Sequence, residues 1–294
     1  MQLHGIIPPI VTPMKDDESL DLPRLRELID YLLGHKVHGI FVLGTTGECY
    51  ALDEAEKEAV MVTAVEQVAG RVPVLAGTGT ETTRETIRLT RVAERVGINA
   101  VSIITPYYIQ PTQAEITDHF RRIAEHTRLP VLLYSNPSTC GGLKINPETV
   151  ARLAEVPNIV GIKDSGGDLQ PLLEVLRLVP PTFAVFQGRD TLIAPALQYG
   201  AAGAVPGTCN LAPALCVALY RAAQAGDWPT AMAVQARLSP IRLGLALGTP
   251  PGAIKAGMPL LTMPQPVGPA RAPLAPFTAA QQEQFRAVLR QAGL

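Results

Sequence analysis

The sequence lacks what several classes of partner would require. Lys+Arg 25 against Asp+Glu 26 leaves a net charge of -1, so no global positive field exists to hold nucleic acid or an anionic membrane. Neither partner is expected. No uninterrupted apolar stretch reaches the roughly 18 residues that a bilayer span needs. The apolar opening from Gly5 to Met14 has no basic region before it and is broken by Pro8, Pro9 and Pro13, which argues against a signal peptide. The four cysteines, Cys49, Cys140, Cys209 and Cys216, form no C-x-x-C pair and are too sparse for a disulfide scaffold. A reducing, cytoplasmic setting is the expectation. His4, His35, His38, His119 and His126 never fall in a paired spacing with a nearby carboxylate or thiol, so no metal site is expected. Gly77-Thr78-Gly79 lacks the remaining glycine of G-x-G-x-x-G, which leaves a dinucleotide cofactor unsupported.

What the chain does have is apolar bulk: 47% of its 294 residues are hydrophobic and 17% charged, a composition that buries a large core. Eight short apolar runs of strand length alternate with segments of helical period. The runs are Gly5 to Val11, Gly39 to Leu43, Pro73 to Ala76, Ala100 to Thr105, Val131 to Tyr134, Ile159 to Lys163, Phe183 to Gln187 and Gly203 to Pro206. Helix starts are marked by capping-box spacings at Asp53 with Glu56, Thr82 with Glu85 and Thr112 with Glu115, and by proline after Asn146. Leu25, Leu28, Ile29 and Leu32 recur at spacings of three and four and predict one buried stripe. Eight strand-helix repeats predict an α/β fold, a (β/α)8 TIM barrel over residues 1–226. After Gly226 the pattern is helical, at Pro229 to Leu247, Ala253 to Leu261 and Thr278 to Ala292, with a Pro-rich connector from Pro264 to Pro276. Residues 227–294 are therefore expected as a C-terminal helical extension packed on the barrel.

Active sites of such barrels lie at the C-terminal ends of the strands. Only six lysines occur, and Lys163 ends the run Ile159-Val160-Gly161-Ile162, where a buried parallel strand would carry it into the barrel mouth. A lysine that attacks a carbonyl must first lose its proton, and shifting an ammonium from a pKa of about 10.4 to about 7 by desolvation costs roughly 4 kcal/mol. The alternative is a lysine snorkelling from a strand end to solvent. Gly44-Thr45-Thr46-Gly47-Glu48 ends the second run; its exposed N–H groups suit a carboxylate and its hydroxyls suit proton relay, unless the threonines only cap the next helix. Thr105-Pro106-Tyr107-Tyr108 and Tyr134 end the fourth and fifth runs, bringing phenols to the same rim.

With these segments and Gly161-Ile162-Lys163-Asp164 in that order, the chain resembles the dihydrodipicolinate synthase / N-acetylneuraminate lyase family over nearly its whole length. The resemblance implies a class I aldolase that forms a Schiff base with pyruvate, needs no cofactor, and is commonly a homotetramer. It implies Lys163 as the Schiff-base lysine, Tyr134 as the general acid/base, and Thr45 as the hydroxyl linking it to a second tyrosine. That tyrosine comes from a neighbouring subunit in the family, and Tyr108 matches the position better than Tyr107. Thr46, with the Thr45 backbone, matches the clamp for the pyruvate carboxylate.

One departure bears on the aldehyde partner. The synthases that use aspartate semialdehyde carry an arginine after the fifth strand, where this chain has Thr139; a neutral hydroxyl does not replace a bidentate guanidinium clamp. Lys163-Asp164-Ser165-Gly166-Gly167-Asp168 and Gly268-Pro269-Ala270-Arg271-Ala272-Pro273-Leu274 are similar to the 4-hydroxy-2-oxoglutarate aldolase branch. Gly188-Arg189-Asp190 is similar to the segment by which sugar-acid aldolases hold hydroxyls. Arg189 is expected to offer the distal charge that Thr139 does not, unless it is a solvated residue opening the next helix; Ser165, Gly188, Asp190 and Val205 are further contact candidates. The expected reaction joins pyruvate to a small aldehyde or 2-oxo acid partner and reversibly cleaves 4-hydroxy-2-oxoglutarate or a 2-keto-3-deoxy sugar acid. The alternatives are 4-hydroxy-tetrahydrodipicolinate synthesis, a sugar-acid dehydratase, or a non-catalytic barrel that binds a keto acid.

Overall fold

A computed structural model of the protein describes residues 3–261 and 266–294. Eight strands, β1 (Gly5–Ile6), β2 (Ile40–Val42), β3 (Val74–Gly77), β4 (Ala100–Ile104), β5 (Val131–Ser135), β6 (Ile159–Asp164), β7 (Ala184–Gln187) and β8 (Gly203–Ala204), form one sheet in the order β1-β8-β7-β6-β5-β4-β3-β2. Every adjacent pair is parallel. The sheet closes on itself where Phe41 N donates to Pro8 O at 3.0 Å and Ile10 N donates to Phe41 O at 2.9 Å. The first run was expected as far as Val11, yet the regular ladder stops at Ile6. Pro8 and Pro9 carry no N–H to continue it.

Each strand leads into a helix: α1 (Leu22–Gly34), α2 (Glu54–Val68), α3 (Thr83–Val96), α4 (Gln113–Ala124), α5 (Pro147–Leu153), α6 (Leu169–Leu178), α7 (Ile193–Gln198) and α8 (Pro213–Gln224). Asp53 and Thr112 make both halves of their capping boxes with Glu56 and Glu115, satisfying N–H groups that a helix start leaves open. Thr82 makes only its own half, accepting from Glu85 N. The stripe Leu25, Leu28, Ile29 and Leu32 is buried along its length, and each such side chain stabilises the fold by about 1.5–3 kcal/mol. Beyond the barrel lie α9 (Trp228–Gly244), α10 (Gly252–Leu261) and α11 (Ala279–Gln291). A 3-10 turn at Leu245–Leu247 ends the segment expected as one helix to Leu247. The connector expected from Pro264 begins outside the described residues, and its remainder runs back across the barrel.

Alternation along the strands sorts the core into two layers. Ile7, Phe41, Leu75, Leu132, Ala184 and Phe186 fill the barrel interior, while Val131, Leu133, Ile162 and Val185 face the helices. Leu238, Ile241, Ile254 and Phe285 from the three last helices join that outer layer.

Candidate active site

Strand parity decides where Lys163 points. Ile162 faces outward with Leu133 and Val185, so Lys163 faces the barrel axis, paired in register with Tyr134 on β5 and Phe186 on β7. It is only 4% exposed. Its Nζ lies 4.0 Å from the Tyr134 ring centroid and 5.3 Å from that of Phe41, within cation–π range. A snorkelling lysine would reach water. This one ends among rings at the mouth of the barrel.

The Tyr134 hydroxyl lies 3.5 Å from Thr45 Oγ1 and accepts a 3.0 Å hydrogen bond from Asn136 Nδ2. Ser138 Oγ donates to Asn136 Oδ1 at 2.7 Å and holds that amide in place. The Thr45-Thr46 turn is itself braced: Gly47 N donates to Gly44 O at 3.0 Å, and Thr12 Oγ1 donates to Gly47 O at 2.7 Å. Leu43 and Glu48 both have a φ of 57°, in the left-handed region that bulky side chains avoid, so surrounding contacts must hold this turn. Helix α2 is capped by Asp53, and the threonines are left to the cavity.

Below the turn, Glu48 is fully buried and its Oε1 lies 2.6 Å from Lys255 Nζ, which is 2% exposed. Lys255 also donates to Pro269 O at 2.7 Å, and Arg271 N donates to Glu48 Oε2 at 2.8 Å. Burial pushes the Lys255 amine below the ordinary lysine range, against the pull of Glu48. Arg271 reaches further, donating to Glu56 Oε2 at 2.8 Å, to Ala51 O at 2.6 Å and to Glu18 O at 2.8 Å. The chain after the barrel therefore ties down the turn that carries Thr45 and Thr46.

A cavity of about 380 Å³ opens at this end, lined by Thr45, Thr46, Tyr134, Lys163, Ser165 and Arg189 among others. Gly188, Asp190, Val205 and Thr139 also line it, so of the residues expected from sequence only Tyr108 is absent. Tyr108 is 85% exposed. Tyr107 instead lines an adjoining apolar cavity of about 410 Å³, which shares Thr45, Tyr134 and Thr139 with the first. Burial pushes the Tyr107 phenol up, with help from Glu81. Gly188 is small for a reason: a Cβ there would overlap Ser165 Oγ and come within 3.2 Å of Lys163 Cε. Asp190 lines the cavity with its oxygens engaged by the protein. It is 2% exposed, its Oδ1 accepts from Thr208 N at 3.2 Å and Oγ1 at 3.0 Å, and its Oδ2 pairs with Arg242 Nε at 3.2 Å. Burial pushes its carboxyl above the usual range, with Arg242 and Thr208 opposing.

Asn136 and Arg242 escaped the expectations from sequence, as did Thr249 and Pro250, which line both cavities. Asn136 stood two residues from Tyr134 and carried a signal. The other three arrive from the extension, and no local spacing announces them. Among the described residues, no group of three or more His, Cys, Asp or Glu side chains is set to hold a metal ion, and no helix is long and apolar enough to cross a membrane.

A buried strand-end lysine, a phenol and the Thr45-Thr46 turn thus face one cavity at the mouth of a (β/α)8 barrel. Residues 2–292 match the Dihydrodipicolinate synthetase family, and the chain belongs to it. It is thus a carbon–carbon lyase of the class I, pyruvate-dependent aldolase group. It is 39% identical over 292 residues to the 4-hydroxy-tetrahydrodipicolinate synthase of Methylococcus capsulatus, covering 99% of both chains. The synthase of the same name from Methanoculleus marisnigri is also 39% identical, with 97% of this chain and 98% of that one covered. Among solved structures, dihydrodipicolinate synthase from Bacillus anthracis superposes with a TM-score of 0.93 at 34% identity, covering 99% and 98% of the two chains. The chloride-inhibited enzyme from Acinetobacter baumannii, complexed with pyruvate, gives 0.92 at 32% identity, covering 100% and 99%.

Proposed function

We propose that this chain joins pyruvate to a small aldehyde that carries its own carboxylate, and cleaves the product in the reverse direction. The observation that carries this reading is the buried Lys163 amine, 4.0 Å from the Tyr134 ring, in a cavity shared with Thr45 and Thr46. The amine adds to the pyruvate ketone, and Tyr134 moves the proton as water leaves to give the iminium. Loss of a methyl proton yields an enamine, whose carbon attacks the aldehyde; water then hydrolyses the iminium and frees the amine. Thr46 and the Thr45 backbone hold the pyruvate carboxylate, and Thr45 relays protons to Tyr134.

The names of its relatives favour aspartate semialdehyde as the partner, whose amino group, in place of water, would displace Lys163 from the iminium and close the ring of 4-hydroxy-tetrahydrodipicolinate. A second reading rests on Thr139, which stands where the synthases place an arginine. It assigns cleavage of 4-hydroxy-2-oxoglutarate or a 2-keto-3-deoxy sugar acid, with Arg189 holding the distal charge. Tyr108, exposed on one chain, fits a role in the site of a neighbouring subunit, so we assign a homotetramer in which residues 227–294 act with the barrel. Four free thiols fit a cytoplasmic setting.

Borohydride reduction in the presence of pyruvate tests the chemistry: added mass is expected on Lys163, and no adduct under conditions that trap a related aldolase would overturn it. A panel then separates the partners. Pyruvate release from 4-hydroxy-2-oxoglutarate, 2-keto-3-deoxygluconate and N-acetylneuraminate is measured beside aspartate semialdehyde condensation. A kcat/KM highest for N-acetylneuraminate or 2-keto-3-deoxygluconate, both of which release an uncharged aldehyde, would count against the acidic aldehyde.

A further inference from the structure

The cavity around Lys163 carries more positive charge than one keto acid uses. Besides the Tyr134 phenol, its ionisable lining groups are Lys163, Arg189, Asp190 and Arg242, so beyond the reacting amine two guanidiniums face one carboxylate. The carboxylate is fully engaged. Asp190 accepts two hydrogen bonds from Thr208, and its closest approach to Arg242 is at Nε, 3.2 Å. Among the described residues, the Arg242 guanidinium makes no hydrogen bond and no ion pair besides that with Asp190, and the Arg189 guanidinium makes neither.

Arg242 is also held in place. It stands on α9 seven residues after Gln235, on the same helix face, and Gln235 is 5% exposed. Gln235 Nε2 donates to Asp190 O at 2.9 Å, while its Oε1 accepts from Ala194 N at 2.9 Å. One helix face is thus fastened to the corner after β7 at two points, two turns apart. With its closest approach to Asp190 at Nε, the guanidinium keeps hydrogen-bonding capacity at its flat end, the part that matches a carboxylate with two parallel hydrogen bonds, at a position only 25% exposed.

We infer that Arg242, with Arg189, forms a second carboxylate subsite in the Lys163 cavity, so that the preferred ligand is a dicarboxylic 2-oxo acid with its far carboxylate on α9. Asp190 is the positioning residue that aims Arg242. This inference rests on the pyruvate-aldolase reading of Lys163 and names the residue that replaces the missing arginine at Thr139. A guanidinium delivered from the extension grips the distal end of the substrate, while the Thr45-Thr46 turn grips the near end.

Two five-carbon probes test it in the intact protein: 2-oxoglutarate, and 2-oxopentanoate, which has the same chain length without the far carboxylate. Each competes with pyruvate for borohydride trapping on Lys163, and the ratio of their inhibition constants is read within one protein, so that a general loss of activity cancels. The wild type is expected to favour 2-oxoglutarate by about 30-fold or more, the scale of a charge-assisted pair. Arg242→Gln should lower that ratio about 10- to 100-fold, Arg242→Lys should restore part of it as a point charge, and Asp190→Asn should lower it in the same direction. If pyruvate itself is not trapped, the aldolase reading fails. If pyruvate is trapped but the wild type binds both probes equally, the subsite is overturned while the aldolase stands; an Arg242→Gln variant whose ratio is unmoved overturns the subsite in the same way. The wild-type comparison alone decides the matter should a variant not fold.

Discussion

Replacing Lys255 by methionine isolates the contact between the extension and the clamp turn. Methionine keeps most of the apolar stem and removes the charge from a pair whose members are 2% and 0% exposed. Glu48 would retain one donor, Arg271 N at 2.8 Å, and would lose its counter-ion inside the protein. Breaking one side of a buried pair costs about 3–5 kcal/mol, a large share of a total stability on the order of 5–15 kcal/mol. Changing both partners, Lys255→Met with Glu48→Gln, leaves no orphaned charge, and at least half of the loss should return. Urea unfolding of wild type, single and double variants at equal protomer concentration measures this. The turn also carries Thr45 and Thr46, so the single variant should raise the pyruvate concentration needed for half-maximal borohydride trapping. A single-variant loss below about 1 kcal/mol, or a double variant no more stable than the single, would refute the bracing argument.

Tyr134→Phe keeps the ring over Lys163 and removes the proton carrier; turnover should fall about 10²-fold or more, and unchanged turnover would remove Tyr134 from that role. His119 is buried, with Nδ1 2.9 Å from Thr83 Oγ1 and Nε2 without a partner among the described residues. Burial takes it from 6.5 down to about 4, so the unfolded chain binds the extra proton and stability falls as pH drops below about 6.5 toward 4. Between pH 7 and 5 this amounts to about 2 kcal/mol, which His119→Gln should abolish; parallel pH-stability curves would contradict it. Gly188→Ala should slow trapping by about 10-fold or more by crowding Lys163 Cε, and a wild-type rate would show that the site has slack.

The barrel was legible in the sequence because a parallel strand covered on both faces reads as a continuous apolar run, and eight such runs leave few other folds. Lys163 and Tyr134 drew notice as the polar ends of apolar runs, with their roles supplied by the family resemblance, and it is the pairing of the strands that turns both toward the axis. The prolines after Ile6 were visible, but not that closure would survive them through two hydrogen bonds at Phe41. Arg242, Thr249 and Pro250 come to the cavity through packing of the extension, which leaves no spacing to count. Asp190 was marked as a contact, yet whether its oxygens were free depended on Thr208 and Arg242, 18 and 52 positions away in the chain.

The strap through Pro269 and Arg271 makes the order of synthesis matter. Glu48 leaves the ribosome more than two hundred residues before Arg271, so a nascent barrel holds an acid with no base to meet it. The loop bearing Thr45 and Thr46 gains this brace only when the tail arrives, so its full set of contacts forms last.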